Sequence, residues 1–323
     1  MILTVTLNPL LEKRLFFNKI NFGGSNRSAN EILKGGGKGI NVSRQLGYLG
    51  ALNSSFTFLG GNNGKVIRHI MAEEKINFTF VPTKSETRYS VLIIEESTGA
   101  LTNYFSPNNE IQITEAEEFK SKLDKAIQNC STVIFSGSSP AKETNDIFPY
   151  GIKLADKYDK ISILDTYGDH LPDCIDAGPT AIHNCVDELE SSLNISLTDE
   201  KDKIDFMDSL YKKNIKLSFL TDGANPIYAS KYDFHYKVDV PKIKVIDPTG
   251  SGDAFTAGIA FGLEEAFVFE DMLKTAAALG TANAASWEIC TATKDESQKY
   301  YDVMKIVPIG KKMKLIDDSP TQI

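Results

Sequence analysis

The feature of this sequence that most restricts its fold is a regular alternation of helical and strand patterns that begins near residue 111. Between Ala116 and Ile127 apolar residues recur at the spacing of one helix face, and the apolar run 132–137 predicts a short buried strand. The same unit then repeats along the chain. Further helices are predicted near 144–158 and 199–213, and further strands at 161–166 and 216–220.

Such a series of βαβ units predicts an α/β fold with a mostly parallel sheet. The predicted strands are apolar on both faces, so helices should cover the sheet on both sides. Two stretches, 12–32 and 87–106, do not follow this rhythm, and in the second the turn STGA between two strand-like segments indicates a β-hairpin. We interpret both as a small antiparallel β layer beside the main sheet; simple surface decoration is the alternative.

Length and composition narrow the class of protein. The 323 residues suffice for two domains, or for one large α/β domain with an insertion, and we expect the tail after 306 to be loosely docked. A net charge of -8 has the wrong sign for generic binding to nucleic acid or anionic membranes, so an anionic ligand requires a local basic pocket.

The same numbers bear on location. The four cysteines show neither metal-site nor disulfide spacing, and no window approaches the roughly 20 apolar residues of a membrane span. The N-terminal residues resemble a strand and not an export signal. We therefore expect a cytoplasmic protein with no nucleic-acid or membrane partner.

The first segment that carries chemistry is LKGGGKGINVSRQLGYLG, residues 33–50. Its glycines let the backbone approach a ligand, and Lys38 adds a positive charge at the start of a predicted helix, where free N–H groups attract anions. The segment is not a Walker A loop, because Gly39 follows the GK pair instead of Ser or Thr, and it is not a GxGxxG fingerprint. An anion-binding loop and an ordinary turn both fit this pattern.

The second segment is VIDPTGSGDAFTAGIAFGL, residues 245–263. A β-rich run ends at Ile246, a glycine-containing turn follows, and Asp253 opens a predicted helix of small residues. Amides at this helix start would form an anion hole, and the Asp253 carboxylate would accept a proton from a substrate hydroxyl. The alternative is that Asp253 only caps the helix, which is the commoner use of Asp there.

Together the two segments supply what phosphoryl transfer requires, namely positioning, positive charge near the migrating group and a base for the acceptor hydroxyl. Hydrolysis by a Ser/His/Asp triad has little support, since the sequence lacks GxSxG and its four histidines belong to no motif. The sequence therefore favours phosphoryl transfer over hydrolysis.

The two segments resemble the paired signatures of the ribokinase-like (PfkB) sugar kinases, and most closely the branch of bacterial 1-phosphofructokinases and tagatose-6-phosphate kinases. The motifs that follow the family order are TLNP (6–9), GGGKGIN (35–41), TRYSV (87–91), SGS (136–138) and PTGSGD (248–253). The resemblance implies a single ribokinase-like domain over 1–323, with three α/β/α layers and a mostly parallel central sheet. The β layer, from about 12–32 and 87–106, would be a lid over the sugar and the contact of a homodimer.

The resemblance also assigns roles to residues. Asp253 would be the catalytic base, with the amides of Gly250, Ser251 and Gly252 stabilising the transferred phosphoryl group. The other implied residues are Glu12, Arg27, Gly36, Gly37, Lys38, Asn41, Arg88, Ser136 and Ser138 for the sugar phosphate, Thr221, Asp222, Gly223, Thr249 and Asn283 for the nucleotide, and Glu188 for magnesium, through water.

Within the sugar group, Lys38 and Arg88 would hold the phosphate, while Glu12 and Asn41 would bind hydroxyls. Arg27 fits a solvated surface charge equally well.

Three positions depart from the family pattern. Glu12 replaces an Asp of this branch, Cys185 replaces the Asn of a magnesium-associated motif, and Tyr167 replaces the Ser of DTSG. A register shift in the second motif would use Asn184 and Asp187 instead. Because phosphate oxygens and water are the main ligands of Mg²⁺ in such sites, loss of the Asn does not exclude the metal.

The implied activity is ATP-dependent, magnesium-assisted transfer of the γ-phosphoryl group to a primary hydroxyl of a ketohexose monophosphate, either fructose 1-phosphate or tagatose 6-phosphate. Two alternatives stay open: a kinase for an unphosphorylated sugar or a nucleoside, and a catalytically silent regulator that binds a sugar phosphate or nucleotide. Lys38 and Arg88 favour a phosphorylated acceptor, since two cations facing a neutral sugar would lack partners.

Overall fold

The structure is a computed structural model that describes residues 1–310, which form two β-sheets with helices packed against them. The strands are β1 (Ile2–Thr6), β2 (Leu10–Phe17), β3 (Asn30–Gly36), β4 (Asn53–Gly60), β5 (Phe78–Thr83), β6 (Tyr89–Glu95), β7 (Ala100–Phe105), β8 (Thr132–Ser136), β9 (Ile161–Asp165), β10 (Ala181–Cys185), β11 (Leu217–Thr221), β12 (Ile227–Lys231), β13 (Phe234–Asp239) and β14 (Lys305–Ile309). The helices are α1 (Lys38–Tyr48), α2 (Gly61–Glu73), α3 (Ile113–Gln128), α4 (Ile147–Lys157), α5 (Leu171–Asp176), α6 (Val186–Leu193), α7 (Glu200–Lys212), α8 (Ser251–Glu264), α9 (Phe269–Ala284) and α10 (Lys294–Tyr301).

The larger sheet has ten strands in the order β14-β13-β12-β11-β10-β9-β8-β1-β4-β5. The strands from β11 to β5 run parallel, and β12, β13 and β14 extend this sheet in antiparallel fashion at one edge. Because the strands from β11 to β5 share one direction, the loops that leave their carboxyl ends emerge along a single edge, which is where α/β proteins bind ligands.

Both faces of this sheet are buried, as its apolar strands predict. Along β1, Leu3 and Val5 pack into one core with α3 to α7, while Ile2 packs into the other core with α1, α8 and α9. This alternation follows from the two-residue period of a strand. Full burial of a side chain such as Phe119 stabilises the fold by roughly 1.5–3 kcal/mol. The predicted α/β/α layering is confirmed.

The smaller sheet, which we call the lid, contains β3, β2, β6 and β7 in that order. It consists of two antiparallel hairpins, β2 with β3 and β6 with β7, joined by parallel pairing of β2 with β6. β2 follows β1 and β6 follows β5, so both strands leave the carboxyl edge of the large sheet. They therefore run in the same direction, and their pairing is parallel. The lid confirms the predicted layer and extends it to Leu10 and Gly36.

Two expectations about local structure are wrong. The β-rich run before Ile246 lies outside every strand of residues 1–310; Pro241 and Pro248 bracket it, and the Ile246 amide donates to the carbonyl of Ala284 on α9. Residues after 306 were expected to be loosely docked, but Lys305–Ile309 pairs with β13 as an edge strand. The rest of the tail, 311–323, lies outside the described residues.

Between residues 1 and 310, no helix combines the length and apolar character that crossing a bilayer demands.

Candidate active site

A cavity of about 780 Å³ opens at the carboxyl edge of the parallel strands. Asn8, Ser138 and Tyr167 line it from the loops that follow β1, β8 and β9, and Arg88 and Phe105 line it from the lid. The cavity therefore lies where the parallel sheet predicts a ligand site, with the lid as its cover.

Two helices begin at this cavity, and each begins at a glycine in the left-handed region. Gly37 precedes α1 with φ of 122°, and Gly250 precedes α8 with φ of 80°. Among residues 1–310, no side chain caps either helix by a hydrogen bond. The Ser251 amide already donates to the Pro248 carbonyl at 3.1 Å, whereas the other first-turn amides of both helices have no capping side chain and can bind an anion, which the helix dipoles favour.

The carboxylate of Asp253 lies between these helix starts. Asp253 is the third residue of α8, and its Oδ2 accepts a 2.8 Å hydrogen bond from the Asn41 amide on α1, so it does not act as a helix cap. Burial raises the pKa of Asp253 to about 7; Lys38 opposes this rise, and the charges of Asp165 and Glu188 add to it. A carboxylate with a pKa near neutrality is well suited to general base catalysis.

Lys38, the first residue of α1, has other contacts than the sequence predicts. Its ammonium lies 3.0 Å from Asp165 Oδ1 and 2.9 Å from Glu188 Oε2. Burial opposes its charge, but Asp165, Glu188 and Asp253 raise the pKa of Lys38 well above its usual range. Lys38 is therefore a permanent cation among three carboxylates, beside Asp253, and its ammonium is not free for a distant phosphate.

Asp165 is a site residue that sequence reasoning missed. It is fully buried at the end of β9, and it accepts hydrogen bonds from Ser136 at 3.2 Å and from Thr256 on α8 at 3.1 Å. Burial works against its charge, yet Lys38 and His183 hold the pKa of this carboxyl well below its usual range. His183 also bonds Thr256 at 2.8 Å and Thr221 at 3.1 Å, and so links α8 to the end of β11.

Arg88 has the properties of an anion site. Its Nη1 donates to Asn108 Oδ1 at 3.2 Å and its Nη2 to the Asn8 carbonyl at 3.1 Å, while its guanidinium carbon lies 5.8 Å from the centre of the Phe105 ring. Its Nε is buried and has no hydrogen-bond partner within the described chain. Burial lowers the pKa of Arg88. An anion bound here would give the buried Nε–H a partner and balance the charge.

Arg14 is the second residue that the sequence did not reveal. It is 1% exposed on β2, and its guanidinium joins the lid to two loops of the main body. Its Nε lies 2.7 Å from Glu12, its Nη2 2.9 Å from Asp247, and its Nη1 donates to the Trp287 carbonyl at 2.7 Å. The carboxylate of Glu12 borders the cavity but is already engaged by Arg14.

Most of the predicted site residues line the same cavity. These are Glu12, Gly36, Gly37, Lys38, Asn41, Arg88, Ser138, Glu188, Thr221, Gly223, Thr249, Gly250, Ser251, Gly252 and Asp253.

Four predicted residues lie outside the cavity lining. Arg27 is exposed in the connection between β2 and β3, which fits the surface-charge alternative. Ser136 is fully buried and supports Asp165, and Asp222 accepts hydrogen bonds from Asn225 in its own turn. Asn283 is buried behind the second glycine turn, where its amide nitrogen donates to the Thr249 carbonyl at 2.7 Å. Ser136 and Asn283 therefore support the site from behind its surface, and Arg27 and Asp222 lie away from it.

One end of the cavity has apolar walls. They come from the segment that follows β13 and from one face of α9: Val240, Pro241, Ile243, Val245, Ala277, Thr281 and Ala284. The sequence interpretation treated the first of these segments as a strand and overlooked it as a wall. A flat apolar slot beside an anion-binding helix start suits a planar base that carries phosphates.

Metal ligands are sparse at this site. Among residues 1–310, no cluster of three or more His, Cys, Asp or Glu side chains could hold a metal ion. Besides Asp253, the carboxylates of Asp165 and Glu188 lie near the α1 start, and both already pair with Lys38. This donor set fits Mg²⁺ held mainly by phosphate oxygens and water, with at most one or two carboxylates.

Comparison with known proteins agrees with this geometry. Residues 12–293 match the family described as pfkB family carbohydrate kinase. The chain is 31% identical over 312 residues to tagatose-6-phosphate kinase of Staphylococcus epidermidis, covering 96% of this chain and 100% of that protein. It is 32% identical over 293 residues to 1-phosphofructokinase of Borreliella burgdorferi, covering 90% and 94%.

A solved structure shares the fold. Phosphofructokinase-2 from Escherichia coli, crystallised in complex with substrates and products, superposes with a TM-score of 0.86 at 23% identity, covering 93% of this chain and 98% of that one.

Proposed function

Because the chain belongs to the pfkB family of carbohydrate kinases and is a sugar-phosphate kinase, we propose that it transfers the γ-phosphoryl group of ATP to a primary hydroxyl of a ketohexose monophosphate. Fructose 1-phosphate and tagatose 6-phosphate are the proposed acceptors, and a ketohexose bisphosphate is the product. The observation that carries this proposal is the Asp253 carboxylate, whose pKa is raised to about 7, between two uncapped helix starts.

In the proposed reaction, Asp253 takes the proton of the acceptor hydroxyl as its oxygen attacks the γ-phosphorus. The bond between the γ-phosphorus and the bridging oxygen breaks, and ADP leaves with the electron pair. The amides of Gly250 and Gly252 stabilise the negative charge that develops on the transferred group, and the Ser251 amide, which donates to the Pro248 carbonyl at 3.1 Å, would have to share its hydrogen bond to do so. The Asn41 amide, 2.8 Å from Asp253, orients the carboxylate toward the hydroxyl.

The two predicted phosphate cations take different parts in this proposal. Arg88, with its unpartnered Nε, holds the phosphate already on the sugar. Lys38 lies among the carboxylates near Asp253, so we place it beside the transferred phosphoryl group and not at the sugar's phosphate. Glu12 keeps a sugar contact through whichever oxygen Arg14 leaves free.

Magnesium is part of the proposal because the donor set fits it. Glu188, through water, would hold the ion against the phosphates of ATP, where Mg²⁺ neutralises charge on the transferring group. Lys38 holds Glu188 toward the cavity at 2.9 Å.

A homodimer through the lid is also proposed. Four lid residues leave large apolar surface exposed: Leu33 at 38%, Tyr89 at 44%, Tyr104 at 57% and Phe105 at 59%. Sedimentation analysis of the protein and of Tyr104→Lys should show a dimer that the charge weakens. The cytoplasmic location stays a prediction.

A coupled assay of ADP release tests the function. Fructose 1-phosphate, tagatose 6-phosphate and fructose 6-phosphate are each offered with ATP and Mg²⁺, and unphosphorylated fructose and a nucleoside serve as controls. Turnover of a ketohexose phosphate at a kcat/KM far above that of the free sugar supports the proposal. Preference for the free sugar or nucleoside would replace it with the first alternative, and binding without turnover would replace it with the silent regulator.

A further inference from the structure

A second cavity, of about 260 Å³, adjoins the main one. Ser138 and Tyr167 line both cavities, and Lys142 and Asn145 are among the residues that line only the smaller one. The two shared residues therefore form the wall between the cavities. Tyr167 is much the larger of them, so its ring accounts for most of that wall.

The backbone on both sides of Tyr167 is held in place. The hydroxyl of Thr166 donates to the Gly137 carbonyl at 2.6 Å, and the amide of Gly168 donates to the Ser192 hydroxyl at 2.8 Å. These bonds tie the segment to the loop after β8 and to α6. The backbone that carries the ring is thus fixed on both sides of Tyr167.

The Tyr167 ring also lies near both ends of the proposed acceptor site. The ammonium of Lys38 is 5.2 Å from its ring centre. Its phenol is close enough to Arg88 to raise the pKa of that guanidinium, against the larger effect of burial. The ring thus borders the space between the transfer site near Lys38 and the phosphate site at Arg88.

We propose that Tyr167 determines acceptor specificity by closing the site at the length of a six-carbon ketose monophosphate. This inference rests on the proposed function. A seven-carbon ketose monophosphate needs room for one more CHOH unit, and the space beyond the Tyr167 ring is the adjoining 260 Å³ cavity. Removal of the ring joins the two cavities and gives the longer acceptor's phosphate access to Lys142.

The test is a ratio of specificity constants. We compare kcat/KM for sedoheptulose 7-phosphate with kcat/KM for the preferred ketohexose phosphate in the wild type, Tyr167→Ala and Tyr167→Phe. A pocket wall typically discriminates by about 10- to 200-fold per carbon unit, and Tyr167→Ala should shift the ratio toward the seven-carbon sugar by that order. Tyr167→Phe keeps the ring and should keep the wild-type ratio.

A second variant locates the added space. Adding Lys142→Met to Tyr167→Ala should reverse most of the increase in the kcat/KM ratio for the seven-carbon sugar, because its phosphate no longer has Lys142 as a partner. If Tyr167→Ala does not fold, Tyr167→Leu applies the same test with an apolar side chain that lacks the ring.

The outcomes separate the two proposals. An unchanged ratio in Tyr167→Ala, or a gain that persists without Lys142, overturns this inference while the ketohexose kinase activity stands. Absence of turnover with every sugar phosphate in the wild type overturns the proposed function and this inference with it.

Discussion

The starts of α1 and α8 are built on the same backbone plan and carry opposite chemistry. Each is preceded by a glycine of positive φ, Gly37 or Gly250, and each has glycine as its second helical residue, Gly39 or Gly252. Both present first-turn amides to one cavity, although the Ser251 amide also donates to the Pro248 carbonyl and the two glycines differ in ψ, 135° for Gly37 and 0° for Gly250. The backbone therefore supplies a similar anion-binding device twice, more than 200 residues apart in the chain.

The side chains at matching positions separate the two roles. At the first helical position α1 has Lys38 where α8 has Ser251, and at the third it has the buried apolar Ile40 where α8 has Asp253. One start thus contributes a cation and the other a carboxylate, the proposed base, and the hydrogen bond from Asn41 to Asp253 joins them. A glycine-rich helix start specifies anion binding, and the side chains of its first turn specify what is done with the anion.

The most severe test of this contrast is Asp253→Asn. Positioned base catalysis contributes on the order of 10² to 10⁴ in rate, so kcat should fall by at least about a hundredfold with little change in the KM for ATP. Asp222→Asn, which removes a carboxylate outside the cavity lining, is the control and should keep kcat. Near-normal turnover by Asp253→Asn would show that the α8 start does not supply the base, and the proposed difference in role between the two helix starts would be wrong.

The second test asks whether α1 or the lid holds the sugar's phosphate. Charge-assisted hydrogen bonds contribute roughly 1.5–3 kcal/mol, so Arg88→Ala should raise the KM for the sugar phosphate by about 10- to 150-fold. Arg68→Ala, on the exposed face of α2, should leave that KM unchanged. A normal KM in Arg88→Ala would mean that Lys38 and the α1 start, and not the lid, bind the phosphate of the sugar.

The third test compares the second-position glycines. A Cβ on Gly39 would overlap the Thr6 hydroxyl and lie 3.1 Å from the Val5 carbonyl, whereas on Gly252 it would lie 3.4 Å from His183. Gly39→Ala should therefore lower the free energy of unfolding by about 1–3 kcal/mol, as overpacking does, and Gly252→Ala by less. Urea unfolding measures both; equal losses would mean that packing does not distinguish the two glycines.

The smallest expected effect concerns the link between the helices. The hydrogen bond from the Asn41 side-chain amide lowers the pKa of Asp253, so Asn41→Ala should raise the pKa of Asp253. Because Asp253 acts as a base, kcat/KM should fall below about pH 7 in the wild type, and in the variant this fall should begin at higher pH. A hydrogen bond of 0.5–1.5 kcal/mol corresponds to a shift of roughly half to one pH unit. A shift to lower pH would contradict the assigned contact.

The sequence was sufficient to predict those parts of the fold and site that leave a local pattern of residues. Helices α3, α4 and α7 and strands β8, β9 and β11 follow from apolar periodicity, and both glycine segments follow from their composition. The same signal misled at residues 240–246, where apolar residues that line one end of the cavity resemble a strand. Apolar residues that line a cavity give the same sequence pattern as a buried strand, although Val245 is 51% exposed.

The remaining site residues have no local signal. Asp165 and His183 meet Lys38 and Thr256 only because parallel pairing brings the ends of β9 and β10 beside both helix starts. Arg14 resembles any surface charge of a lid strand until its partners, more than 200 residues away, surround it. Contacts of this kind depend on the topology of the sheet, which one chain's residue pattern does not encode locally.

The arginine buried at the base of the lid has a consequence for recombination between relatives. Arg14 on β2 is balanced by Asp247 and by the Trp287 carbonyl, both in loops of the main body. A chimera that imported a foreign lid without Arg14 would leave the buried Asp247 carboxylate without its cation, and one that imported foreign loops would leave Arg14 with Glu12 as its remaining charged partner. The lid and these two loops are therefore a single exchangeable unit, although they are far apart in the gene.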